Sequence, residues 1–168
     1  MIAGDTVRVQ TFVRVSLEDA FEVFTLEIDQ WWRRGPAYRV GGKQPGALHL
    51  EPKLGGRIFE EYGPGKLHEI GTITIWEPST HFSFTWRGIN FRPGENTTVE
   101  VWFEPRDGGT RVTLEHRGFA ALPDDHPARH GQPVPAFIRE MGLWWGTLLT
   151  SLRERAEDRG GTGSDATT

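Results

Sequence analysis

Apolar and polar side chains alternate without a break from Phe82 to Arg87: Phe82, Phe84 and Trp86 on one parity, Ser83, Thr85 and Arg87 on the other. A strict period of two marks a strand with one face in a core and the other in water. The pattern recurs along the chain. Val7, Val9 and Thr11 alternate with Arg8, Gln10 and Phe12, and Val99, Val101 and Phe103 with Glu100, Trp102 and Glu104. Val112, Leu114 and His116 alternate with Thr113, Glu115 and Arg117. Leu48–Leu50, Arg57–Tyr62 and Leu67–Trp76 read as further strands, although the adjacent Ile58 and Phe59 leave the facing of Arg57–Tyr62 open. Between them stand the turn signals Gly63-Pro64-Gly65, Glu77-Pro78-Ser79 and Asp107-Gly108-Gly109, the last a strong hairpin sequence. Strands joined by such short turns pair antiparallel.

Three segments switch to helical spacing. Ser16 reads as an N-cap with Asp19 three residues on, and Leu17, Ala20, Phe21 and Phe24 then share one face. A second short helix carries Ile28, Trp31 and Trp32 and stops at Gly35-Pro36. Near the C-terminus, Phe137, Met141, Trp144 or Trp145, Leu148 and Leu152 recur every three or four residues, with Pro135 as first residue and Gly160-Gly161 as the stop. Arg39–Gly46 and Ala120–Pro135 read as loops. The fold class is α+β: two short helices after strand 1, and a curved antiparallel sheet of about six to seven strands wrapped around a long C-terminal helix. One helix cannot cover so large a sheet unless the sheet curls, and a curled sheet closed by a helix encloses a pocket. Residues 1–158 form a single domain and 159–168 a small, polar, flexible tail.

Composition narrows the function. A chain of 168 residues suits one domain. Its formal charge is -4 and its Lys and Arg are scattered, which argues against a nucleic-acid or anionic-membrane surface. The absence of Cys rules out disulfides, thiolate nucleophiles and Cys-based metal centres. Met1–Arg14 carries no leader pattern and no apolar run is long enough to span a membrane, so the expected location is cytoplasmic, without membrane insertion. The seven Trp are the unusual feature, and they point to an interior built from large flat rings.

Several local signatures fall in a characteristic order: Ala20-Phe21 through Trp31-Trp32, Leu54-Gly55-Gly56-Arg57, Gly71 through Trp76-Glu77-Pro78, and Phe84-Thr85-Trp86. Gly109-Thr110-Arg111-Val112-Thr113-Leu114 follows and runs on to His116-Arg117-Gly118-Phe119. In this order the chain resembles the START-like (SRPBCC) superfamily, and within it the branch named after the activator of the heat-shock protein ATPase. The resemblance covers about Val7 to Leu152. It implies a helix-grip fold with a cavity between sheet and C-terminal helix. It also implies a range of roles, from carriers and receptors of hydrophobic molecules to polyketide cyclases and aromatases. The proteins that gave the branch its name carry an additional N-terminal domain, for which a first strand beginning near Thr6 leaves no room.

Candidate chemistry centres on His116, which shares the inward parity of Val112 and Leu114. There a neutral imidazole can serve a ligand oxygen or act as general base, or it can simply bond to neighbouring protein groups. Phe82, Phe84, Trp86, Phe103, Leu114, Met141, Trp144 and Trp145 are the expected lining of the interior and, with His116, the candidate ligand-binding set. One of Glu60, Glu61 and Glu69 is a candidate inward carboxylate able to pair with His116 or Arg57. Trp76 and Trp102 fall on the outward parity and mark a contact surface, which leaves room for a homodimer.

No metal or cofactor site is expected. Asp124, Asp125, His126 and His130 cluster, but Pro127 interrupts the helical spacing of the two His. His68-Glu69 begins a zinc-protease motif, yet Thr72 stands where its second His belongs. Phosphate-loop, nucleophile-elbow and dinucleotide signatures are absent from the sequence. The leading expectation is therefore a module that binds a small hydrophobic, aromatic molecule. A cyclase- or aromatase-like enzyme using His116 as acid/base is the alternative, and a regulator of a chaperone ATPase is the second.

Overall fold

The computed structural model describes residues 6–35, 37–39, 46–87, 91, 92, 94–119 and 134–164, with side chains 138–159 in the last helix. Strand β1 (Thr6–Val13) is followed by helices α1 (Leu17–Thr25) and α2 (Ile28–Trp31). Six strands follow: β2 (Ala47–Leu50), β3 (Arg57–Gly63), β4 (Lys66–Glu77), β5 (His81–Trp86), β6 (Thr97–Arg106) and β7 (Gly109–Arg117). Helix α3 (Val134–Ser164) closes the order. The strands form one seven-stranded sheet in the order β1-β7-β6-β5-β4-β3-β2, and every neighbouring pair is antiparallel. This is the curled α+β helix-grip expected from the alternation. The chain meanders from β2 to β7, and β1 then pairs along the outer edge of β7 with Val9 opposite Leu114.

The inward parity of each strand supplies the core. Val99, Val101, Phe103, Val112 and Leu114 are buried on β6 and β7, as are Phe82 and Phe84 on β5. Helix α3 lies chiefly along β1 and presents Trp145, Leu148, Leu149, Leu152 and Ala156, all buried, at helical spacing. Helix α1 is capped as expected, the Ser16 hydroxyl accepting from the Asp19 N–H at 3.1 Å.

Three register shifts bend the sheet, one in β4 between Ile73 and Ile75 and two where β3 meets β4, between Ile58 and Phe59 and between Glu61 and Gly63. An extra residue in one strand reverses side-chain parity beyond it. Trp76 is accordingly turned inward, its ring 5.1 Å from Phe21 and 5.9 Å from Phe82, whereas simple alternation places it outside. The bend also presses Gly71 against β5. A Cβ there would stand 1.6 Å from the Thr85 carbonyl oxygen, a position open to glycine alone.

Helix α3 does not stop at Gly160-Gly161 but continues to Ser164, into the segment read from the sequence as a tail. Glycine lowers helix stability by only about 1 kcal/mol. The last turns are tied down just before it, where Arg155 meets Glu27 at 2.8 Å and Arg159 meets Glu22 at 2.9 Å and also Glu27. Residues 120–133 and 165–168 lie outside the described residues.

The loop between α2 and β2 hangs on a buried cation. The Arg39 side chain is 3% exposed and donates to Asp29 Oδ1 at 2.6 Å and to the carbonyls of Trp32, Asp29 and Arg33 at 2.7, 3.1 and 3.2 Å. Asp29 Oδ1 also accepts the Leu48 N–H at 2.9 Å, so one ion pair joins α2, the loop and the edge strand β2. Partial burial by itself would raise the Asp29 carboxyl, but the Leu48 N–H and the Arg39 guanidinium outweigh it and hold the group below the ordinary carboxylate range. Removing one partner of such a pair strands the other. Arg39→Met is expected to cost about 2–4 kcal/mol in urea unfolding; a loss under about 0.5 kcal/mol, the size of an ordinary surface substitution, would contradict this role.

Candidate functional site

The interior divides into two ends. At the α1 end Phe21 and Phe24 pack edge-on against Phe82 at 5.7 and 5.3 Å and against Phe103 at 5.1 and 5.8 Å. Trp31 closes on Phe24 at 4.9 Å and donates its indole N–H to the carbonyls of Val23 and Phe24. These rings are almost without accessible surface. A side chain lining a void large enough for water keeps accessible area, so they fill this end rather than line a hollow.

At the other end several rings are only half covered. The buried Trp32 stacks on Trp86 at 5.9 Å and 25°, and Tyr38 stacks on Trp144 at 5.5 Å and 21°. Trp86 and Trp144 stand nearly perpendicular, 6.0 Å apart. Trp86, Tyr38, Trp144, Met141 and Ile138 pack against the core yet remain partly exposed. Two indole hydrogen bonds hold this end together, Trp32 Nε1–H to the Tyr38 carbonyl at 3.0 Å and Trp144 Nε1–H to the Ala37 carbonyl at 2.8 Å.

Between the two ends lies His116, with no accessible surface. Trp145 Nε1–H donates to its Nδ1 at 3.0 Å, which puts the imidazole proton on Nε2. Nε2–H donates to Thr97 Oγ1 at 2.6 Å, and the Thr97 hydroxyl donates on to the Trp86 carbonyl at 3.4 Å. Burial drives the imidazole down to about 3, so it is neutral throughout the physiological range. Both ring nitrogens are engaged by protein, and in this arrangement neither is left for a ligand.

The candidate residues thus separate. Trp86, Met141 and Trp144 are partly accessible and come together with Trp32, Tyr38 and Ile138. Phe82, Phe84, Phe103, Leu114, His116 and Trp145 are core packing, with 0–2% exposure. Of the three carboxylates, Glu60 points inward at 2% exposure, while Glu61 and Glu69 are exposed. Arg57 meets Glu51 at 3.0 Å, and His116 is bonded to Thr97 and Trp145. Trp102 does face outward, stacked on His81 at 5.3 Å and 8° beside a shallow concavity of about 280 Å³ lined by Arg8, Trp102, Glu104, Thr113 and Glu115. Sequence reasoning missed Tyr38, which has no periodic neighbours, and Trp32, whose pairing with Trp31 was a signal for ring stacking. The Asp124–His130 cluster lies outside the described residues; among those described, no His/Asp/Glu group is placed to hold a metal ion.

A family model described as Activator of Hsp90 ATPase homolog 1-like protein matches residues 14–157. The chain belongs to that family. Its fold also matches solved structures at low identity. The Staphylococcus aureus protein SA2116, of unknown function, superposes with a TM-score of 0.66 at 18% identity, over 93% of this chain and 95% of that one. MLL2253 from Mesorhizobium loti gives 0.63 at 18%, over 92% and 97%. DynU16, a protein of the dynemicin biosynthetic locus, gives 0.60 at 18%, over 89% of this chain and 46% of its own. No curated protein matches the chain. For this member of the Activator of Hsp90 ATPase homolog 1-like family, no helix among the described residues is long and apolar enough to cross a membrane.

The buried imidazole has a pH signature. Its folded value of about 3 lies below the ordinary 6.5, so between those limits the unfolded chain binds a proton that the folded chain does not. Stability from this group is full above pH 6.5 and falls as the pH drops, by about 1.4 kcal/mol per unit. Unfolding free energies measured from about pH 7 to about pH 4.5 are expected to decline less steeply in His116→Gln than in wild type. Parallel curves would show that the imidazole already titrates in the folded protein.

Proposed function

We propose that the protein is a binding module for a small, flat hydrophobic molecule, taken up at the aromatic end of the grip. The observation that carries the reading is the unequal burial of the inward rings: sealed around Phe82 and Phe103, half open around Trp86, Tyr38 and Trp144. Rings at right angles to one another offer a planar guest both a stacking face and an edge. Met141 and Ile138 beside them add adaptable apolar surface. The family's fold supports a cavity role without fixing an activity. DynU16, which shares the fold, belongs to a biosynthetic locus, in keeping with small-molecule chemistry around such domains.

An enzyme of the cyclase kind needs a free acid/base in reach of its substrate. His116, the natural choice from sequence, has both nitrogens bonded and no accessible surface. Binding therefore accounts for the geometry with fewer demands than catalysis.

Native mass spectrometry of the purified protein is expected to reveal a small-molecule adduct, or calorimetry a saturable site for 2-naphthalenemethanol. Trp144→Ala is expected to weaken that site roughly tenfold, the value of one buried ring contact. Trp102→Ala, on the opposite face of the sheet, is expected to leave it unchanged. Equal effects of the two substitutions, or no saturable binding at all, would overturn the reading.

A further inference from the structure

Of the seven indoles, four spend their N–H inside the protein. Trp31 donates to the carbonyls of Val23 and Phe24, Trp32 to that of Tyr38, Trp144 to that of Ala37, and Trp145 to the His116 imidazole. Trp76, Trp86 and Trp102 make no such bond among the described residues. Trp102 stands on the outer face and Trp76 beside Phe21 at the α1 end. Trp86 is therefore the indole that brings an unpaired N–H to the aromatic end. Among the described residues, Arg87 Nε is the sole side-chain nitrogen both unpartnered and cut off from solvent. The Trp86 N–H, unpartnered too, thus keeps accessible surface, in line with the half-buried state of the residue.

The Trp86 ring is held from several sides. It stacks on Trp32 at 5.9 Å and meets Trp144 at 6.0 Å, Trp145 at 5.9 Å and His116 at 5.6 Å, these three at steep angles. Its carbonyl accepts from the Thr97 hydroxyl at 3.4 Å, which ties its backbone to the His116 hydrogen bonds. A donor fixed in this way gives up little freedom when it makes a bond.

In the free protein, water serves this N–H. A molecule settling against the rings displaces that water, and affinity is lost unless the bond is replaced. An indole N–H only donates, so the occupant must bring an acceptor to the edge of the ring. The groups packed round Trp86 are three indoles and a neutral imidazole, with no counter-ion for an anion. A carbonyl oxygen meets the requirement without adding a donor of its own to bury, as a hydroxyl would.

We infer that Trp86 Nε1–H is the polar anchor of the aromatic end, and that the molecule bound there is a neutral aromatic compound whose carbonyl oxygen accepts from it. The inference rests on the binding role proposed above and adds the contact that orients the guest.

The test is equilibrium dialysis of the intact protein against two probes of one shape, 2-acetonaphthone and its hydrocarbon isostere 2-isopropenylnaphthalene. Trp86→Phe removes the N–H and some ring area. It is expected to weaken the ketone about threefold to tenfold more than the hydrocarbon, the range of one hydrogen bond. Trp144→Phe removes similar area, but its N–H is already given to Ala37. It is expected to weaken both probes equally. In ¹⁵N-labelled wild type, the ketone is expected to move the Trp86 indole proton downfield and the hydrocarbon to leave it without that displacement. Equal losses of the two probes in Trp86→Phe, or a ketone-specific loss as large in Trp144→Phe, overturn the inference and leave the binding role standing. Failure of wild type to bind either probe removes both. Should Trp86→Phe fail to fold by circular dichroism, the wild-type indole signal decides: a downfield displacement by the ketone alone supports the anchor, and the same response to both probes overturns it.

Discussion

A single line of hydrogen bonds crosses the dry middle of this fold: indole to imidazole, imidazole to hydroxyl, hydroxyl to carbonyl. It starts on α3 at Trp145, passes through His116 on β7 and Thr97 on β6, and ends on β5 at the Trp86 carbonyl. Helix and three strands are thereby set at one depth. Apolar packing alone tolerates small slides and rotations, whereas a directional bond in a low-dielectric interior does not. The imidazole must be neutral, with its proton on Nε2, for the line to hold, and burial keeps it so. His116 is better understood as the latch of the grip than as its chemistry.

The latch also marks where the interior changes character. On one side of it, Phe21, Phe24, Phe82 and Phe103 interlock edge-to-face and leave no accessible interior. On the other, Tyr38, Trp86 and Trp144 keep faces partly open around the buried Trp32, and Arg39 with Asp29 anchors the loop that brings Tyr38 there. Among the described residues, the α1 end of the interior is packed and the rings at the other end stay partly accessible. Membership of the Activator of Hsp90 ATPase homolog 1-like family accounts for the frame. The distribution of accessible rings supports the particular use made of it.

Much of this is legible without coordinates. Strict alternation on β1, β5, β6 and β7 places their core faces correctly, because one buried face leaves the parity no freedom. The inward parity of His116 follows from the same rule. Its bonding does not, since the decisive donor, Trp145, arrives from a helix far along the chain. Alternation misplaces Trp76 because a bulge in β4 reverses the parity between Ile73 and Ile75, and bulges leave no composition signal as short as one residue. Glu60 stays ambiguous for a related reason, two adjacent apolar residues at another register shift. Arg39 looks like a surface cation in the sequence, and only the three-dimensional approach of carbonyls and Asp29 reveals how far it is drawn inward.

The account stands or falls on the division of the interior into a closed end and an open one. The seven indole N–H signals of the ¹⁵N-labelled protein report on it directly during titration with 2-naphthalenemethanol. The signals of Trp32, Trp86 and Trp144 are expected to shift progressively and saturably, while those of Trp31, Trp76 and Trp102 hold still. Shifts centred on Trp31 and Trp76, or on Trp102 at the outer face, would contradict the division and place binding elsewhere.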